Sequence, residues 1–123
     1  MSLKQPCMSH RFKLTDQHRK TCAATFAVET AKIDFAIKSV SLIFRIDVSG
    51  ECTKELLHQF RKGNGFTLET LDSQAKQVIE SMRFIIDEVT SSEMTFSYNA
   101  NETLKLYVDI KYSNVDFIHI NKD

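Results

Sequence analysis

Little in this chain marks chemistry. It has no G-x-S-x-G elbow, no phosphate-binding loop, no H-E-x-x-H pair and no dinucleotide fingerprint. The usual sequence signs of acyl transfer, nucleotide binding, zinc peptidase activity and hydride transfer are therefore missing. Glycine occurs three times and proline once in 123 residues, too seldom for a low-complexity or disordered chain. Lys plus Arg and Asp plus Glu both total 16, so no overall field draws the protein to nucleic acid or an anionic membrane. No apolar run approaches membrane-spanning length, and no secretory hydrophobic segment precedes the three cysteines, Cys7, Cys22 and Cys52. The expectation is an intracellular, reducing compartment, cytoplasmic or nuclear, with no membrane association.

What is present is the material of a folded domain. The chain is 42% hydrophobic and 26% charged, and at this length about two thirds of the unfolded surface can be buried. Residues 1–20 hold Lys4, Arg11, Lys13, Arg19 and Lys20 against Asp16 alone, with no periodicity at the start. They are expected to form a flexible basic N-terminal arm before a single α+β domain over 21–123. Cys7-x-x-His10 and His18-x-x-x-Cys22 have spacings that a tetrahedral zinc site uses. The gap between the pairs is short for a finger, and Cys22 shares strand parity with Ala24, Phe26 and Val28. No metal is expected.

From Thr21 the pattern is strand-like. Ala24, Phe26 and Val28 alternate, Glu29–Lys32 turns the chain, and Ile33, Phe35 and Ile37 alternate again; a helix over 16–32, favoured by its alanines, is the competing reading. Val40, Leu42, Phe44, Ile46 and Val48 then face one way along the cleanest strand. Ser49 is placed to cap a short helix buried through Leu56, Leu57 and Phe60, which Gly63-Asn64-Gly65 ends. From Thr67 to Val89 the spacing predicts a second, longer helix. Leu71, Ala75, Val78, Met82, Ile85 and Val89 alternate steps of four and three, with Ile79 and Ile86 widening the stripe. Lys76, Glu80, Arg83 and Asp87 would be its solvated face.

After Ser91-Ser92, Met94, Phe96 and Tyr98 alternate, and residues 99–102 make a polar turn. Leu104, Leu106, Val108 and Ile110 follow, then a turn at Tyr112-Ser113-Asn114 and a last strand over 115–120. Most of the nine phenylalanines fall on alternating apolar positions and are expected in the core. The predicted fold class is α+β. It is an antiparallel sheet or partly closed β-barrel with a two-helix insertion between the early and late strands.

Candidate chemistry is sparse. Cys52 stands in the first turn of the short helix, where the helix dipole lowers a thiol pKa, but His58, six positions on, faces elsewhere. His119 alternates between Ile118 and Ile120 on a strand, and the carboxylates are scattered. Lys105, Tyr107 and Lys111 share a face that Asp109 interrupts, a poor stacking platform for single strands. No catalytic residue, cofactor or direct nucleic-acid reading is expected.

The segment from Leu42 to Glu88 resembles the head domain shared by the centriolar cartwheel scaffold and the X-ray-repair end-joining scaffolds. The matching pieces are Phe44-Arg45-Ile46-Asp47-Val48-Ser49, Glu55-Leu56-Leu57, Phe66 through Leu71 and Val78-Ile79, with Met94–Ile110 as the following hairpin. The resemblance implies a strand, a short helix, a glycine-marked turn, a longer helix and a hairpin. It also implies assembly through an aromatic residue on a late loop, where this chain has Tyr112 in place of phenylalanine. The expected function is that of a non-enzymatic protein–protein interaction or scaffold domain that self-associates or docks a protein partner. Tyr107, Tyr112 and Asn114 are the expected binding residues, since exposed strand edges add partner strands. The alternatives are a small ligand-binding or enzymatic α+β barrel, or a nucleic-acid-associated pleckstrin-like or clamp-like module.

Overall fold

The computed structural model describes residues 11–46, 51–72, 74, 76–98 and 102–119. Along them run β1 (Phe12–Asp16), α1 (Ala23–Ala27), β2 (Val28–Asp34), β3 (Ser39–Arg45), α2 (Glu51–Gln59), β4 (Gly65–Leu71), β5 (Val78–Met94) and β6 (Lys105–His119). All six strands join one sheet in the order β1-β4-β5-β6-β3-β2. Every neighbouring pair is antiparallel, and the sheet curls into a half-barrel.

Period-two sequence explains the inner face. On β3, Val40, Leu42 and Phe44 are buried, and they lie opposite Ile110, Val108 and Leu106 of β6. That face would be wet without a cover, and α2 supplies it through Leu56 and the adjoining Phe60, both buried. A ladder of rings runs Phe44–Phe60–Phe66–Phe84–Tyr112, with centroids 5.3, 5.4, 5.1 and 5.0 Å apart. It ties β3, α2, β4, β5 and β6 into one core. Such pairs add about 1 kcal/mol each beyond their buried area.

The end of α2 is stitched to β5. Gly63 takes φ +91, a conformation that side chains resist. Its amide donates to the Ile86 carbonyl, and the Ile86 amide donates to the Asn64 carbonyl, both at 2.9 Å. Gly65 answers a different need. A Cβ there would stand 2.9 Å from Gln17 Cβ and 3.1 Å from the Phe84 carbonyl oxygen.

The long helix predicted over 67–89 is not formed; β4, a turn and β5 occupy that stretch. The cause is a set of register shifts in the β5–β6 ladder, between Ile85 and Ile86, Ile86 and Glu88, and Val89 and Ser91. Each bulge resets side-chain parity. Met82, Phe84, Ile86 and Val89 therefore reach the core in steps of two, two and three, which imitates a helical period. Val78, Ile79, Ile85 and Ile86, stiff at χ1, suit the pleat. Asp72 does not serve a helix start. Its carboxylate accepts amides from Gln74, Lys76 and Gln77 at 3.2, 2.9 and 3.3 Å, closing the β4–β5 turn. The two-helix insertion is thus one helix, α2. Of the layout that resembles the scaffold heads, the strand and short helix are present and the longer helix is absent.

Four further expectations change. Residues 23–27, predicted as strand, make the single turn of α1, because Ala24 and Ala27 bury without side-chain cost while Phe26 points out. Glu29–Lys32, predicted as a turn, lies inside β2. The turn comes at 35–38, where the Asp34 carboxylate accepts the Ala36 and Ile37 amides at 3.0 and 3.2 Å. Residues 12–16, assigned to the arm, form edge strand β1 against β4. Tyr112–Asn114, predicted as a turn, continues β6 across the bulge opposite Ile85 and Ile86. Cys7, His10, Asp47–Gly50, Ala75, the 99–101 turn and Ile120 lie outside the described residues.

Candidate assembly surface

Because α1 carries the chain from β1 to β2, the first two strands end as opposite edges of the sheet. The Thr25 hydroxyl donates to the Leu14 carbonyl and fixes α1 to β1. Beyond α1 the curled edges enclose a groove of about 510 Å³, lined from both sides by Phe12, Ala31, Ile33, Leu68 and Met82, with Glu29, Thr30, Glu69 and Thr70 at its polar margin. Glu29 is committed to Lys105 at 2.8 Å, and this contact raises the Lys105 pKa above its ordinary 10.5.

Glu69 is the one deeply buried carboxylate among the described residues, at 2% exposure. It accepts from Arg19 Nε at 2.7 Å and from the Ser81 hydroxyl at 2.9 Å. Arg19 reaches it from a tight turn with φ 65, in which the Asp16 carboxylate accepts the His18 and Lys20 amides at 2.8 Å each. This pairing makes Glu69 a staple between sheet and turn. Among the described residues no three His, Cys, Asp or Glu side chains are grouped as a metal site needs, and no helix is long and apolar enough to cross a membrane.

The described surface is notable for aromatic rings. Five of the nine phenylalanines, Phe12, Phe44, Phe60, Phe66 and Phe84, lie in or against the core as expected, while Phe26, Phe35, Phe96 and Phe117 are exposed. They fall in two places and one outlier. Phe96 and the fully exposed Tyr98 follow β5 at the tip of the β5–β6 hairpin. Phe35 and Ile37 stand in the β2–β3 turn, with the Phe35 and Phe117 rings 6.1 Å apart. Phe26 lies alone on α1.

The three residues expected to bind a partner are not brought together. Tyr107 is 44% exposed on the outer face of β6, opposite Ile43 and Glu93. Tyr112 is 4% exposed, with its ring against Phe84. Asn114 is exposed and donates to Asp116 at 3.3 Å. Tyr107 and Asn114 are seven positions apart on one strand, about 23 Å. The exposed rings that sequence reasoning missed had a signal available. Phe96 and Tyr98 are set among Thr95, Ser97 and Asn99, and Phe35 follows the turn-forming Asp34.

No family model matches the chain, and no curated protein sequence does. Solved structures do match. A chain of the anti-feeding prophage cap, which terminates that particle's tube, superposes with TM-score 0.67 at 11% identity, over 97% of this chain and 95% of that one. A chain from the sheath/tube terminator of PVC, an extracellular contractile injection system, gives 0.66 at 9% identity, over 95% and 99%. A chain of the anti-feeding prophage baseplate gives 0.58 at 9%, over 98% and 100%. At such identities the likeness is one of fold, and it runs from end to end.

Proposed function

We propose that this chain is a non-enzymatic structural subunit that assembles with protein partners, copies of itself among them, into a tube-, cap- or baseplate-like particle. The end-to-end likeness of fold to chains of a tube cap, a tube terminator and a baseplate carries this reading. The molecule's own surface agrees with it. Clustered exposed rings mark contact surfaces, and two unlike sheet edges offer lateral pairing. A contact between unlike edges is heterologous, so it closes into a ring wherever the rotation per copy permits.

Sedimentation velocity over a wide concentration range, with electron microscopy of the largest species, tests the proposal. The expected result is a concentration-dependent shift from monomer to ring-like or stacked particles. A protein that stays strictly monomeric at the highest concentrations overturns it.

A further inference from the structure

The outward side of β4 presents Gly65, Thr67 and Glu69 in a row, and the turn after β1 is pinned over both ends of that row. Gln17 packs down on Gly65, its Oε1 standing 3.1 Å from where a Cβ would be. Arg19 grips Glu69 at the other end, at 2.7 Å. Thr67 lies between them and so beneath the turn. Beside it is Thr15, its register partner on β1. Both threonines are fully buried, although the outward side of an antiparallel sheet is ordinarily the wet one.

Among the described residues neither threonine hydroxyl has a hydrogen-bond partner. Burying a bare hydroxyl is costly, and here two are buried side by side. Their Cβ atoms are about 5 Å apart, as for any residues directly opposite in an antiparallel pair. One water closes that span with two hydrogen bonds of about 2.8 Å. Gln17 Oε1, an acceptor at the same turn, offers a third partner, and a buried water typically makes about three bonds. Room follows from side-chain length, because the Arg19–Glu69 pair holds the turn off the sheet and threonine is much the shorter residue.

The surrounding charge selects a neutral ligand. Arg83 stands opposite Thr67 on β5, bonded to Asp116 at 3.0 Å, with its Nε buried and unpartnered among the described residues. With Arg19 on the other side, a metal cation would sit between two guanidinium groups. An anion would meet the Glu69 carboxylate instead. We infer that one ordered water is bound beneath the Gln17–Arg19 turn, bridging the Thr15 and Thr67 hydroxyls. It attaches the turn to the sheet independently of the Arg19–Glu69 pair.

Relaxation dispersion of oxygen-17 in enriched water counts the long-lived waters of the intact protein. Wild type should hold one more than Thr15→Val/Thr67→Val. Thr15→Ser/Thr67→Ser keeps both hydroxyls and should match wild type; where the double valine variant does not fold, Thr67→Val alone carries the count. Urea titration gives an independent reading. Each single valine variant should lower the folding equilibrium constant about fivefold. The second valine should add little to the first, because both hydroxyls hold the same water. Equal water counts in wild type and the valine variant overturn the inference. So does a valine variant more stable than wild type, which marks a hydroxyl buried bare, and so do losses that simply add.

Discussion

Glu69 lies on the outward side of β4, in register between Lys13 of β1 and Ser81 of β5, yet only 2% of it meets solvent. A carboxylate so placed is stable only while its donors remain, because an unpaired buried charge costs far more than the pair contributes. Arg19, 39% exposed on its side chain, is the weaker partner. Arg19→Ala should destabilise the fold by about 2 kcal/mol in urea titration, below the cost for a fully buried pair. Adding Glu69→Gln should recover about 1 kcal/mol of that loss, since the orphaned charge is gone. Simple additivity of the two substitutions would show that the contact carries no coupling. Nothing in sequence marked this residue. Glu69 reads there as an ordinary first-turn acid of a helix, and its burial follows only from a turn fifty residues earlier folding across it.

At the scale of elements, β3, α2 and the glycine-marked turn were legible, because one uninterrupted period settles each. Val40, Leu42 and Phe44 alternate, Leu56 and Phe60 share a helix face, and Gly63 takes the left-handed conformation; Leu57, expected on that buried face, is instead 48% exposed, because it stands one position round the helix from Leu56. β5 was not legible, because its bulges reset parity within seven residues and leave a spacing that a helix satisfies equally well. The β4–β5 turn offers a direct check. Asp72 has its pKa held below the ordinary 3.8, chiefly by the Lys76 amide, with the Gln77 and Gln74 amides adding to it. A carboxylate with a depressed folded pKa stabilises above its unfolded value and loses that contribution as pH falls through the folded one. The turn should therefore hold at neutral pH and loosen below about pH 4. The Lys76 amide resonance followed by NMR should move over that range, and Asp72→Asn should abolish the movement. A flat profile in the wild type would mean the carboxylate does not anchor the turn.

Across the whole molecule, the sheet order β1-β4-β5-β6-β3-β2 joins strands distant in sequence, and no local pattern announces such pairings. Tyr112, expected in an exposed turn, is one consequence of that order, since the fold turns its ring inward against Phe84. Tyr112→Ala should cost about 3 kcal/mol by emptying the end of the ring ladder, while Tyr112→Phe should stay within about 0.5 kcal/mol by keeping the ring; equal losses in thermal unfolding would deny the ladder its role. That placement also gives the protein an optical property. The chain has no tryptophan and three tyrosines, of which Tyr112 is enclosed, Tyr107 half-shielded and Tyr98 fully exposed at the hairpin tip. Ultraviolet emission therefore comes from a handful of known positions, with an interior chromophore that senses the core and an exterior one that senses whatever meets the tip. With Tyr107→Phe removing the intermediate signal, unlabelled protein should report changes in the core and changes at the surface as two separable components of the same spectrum.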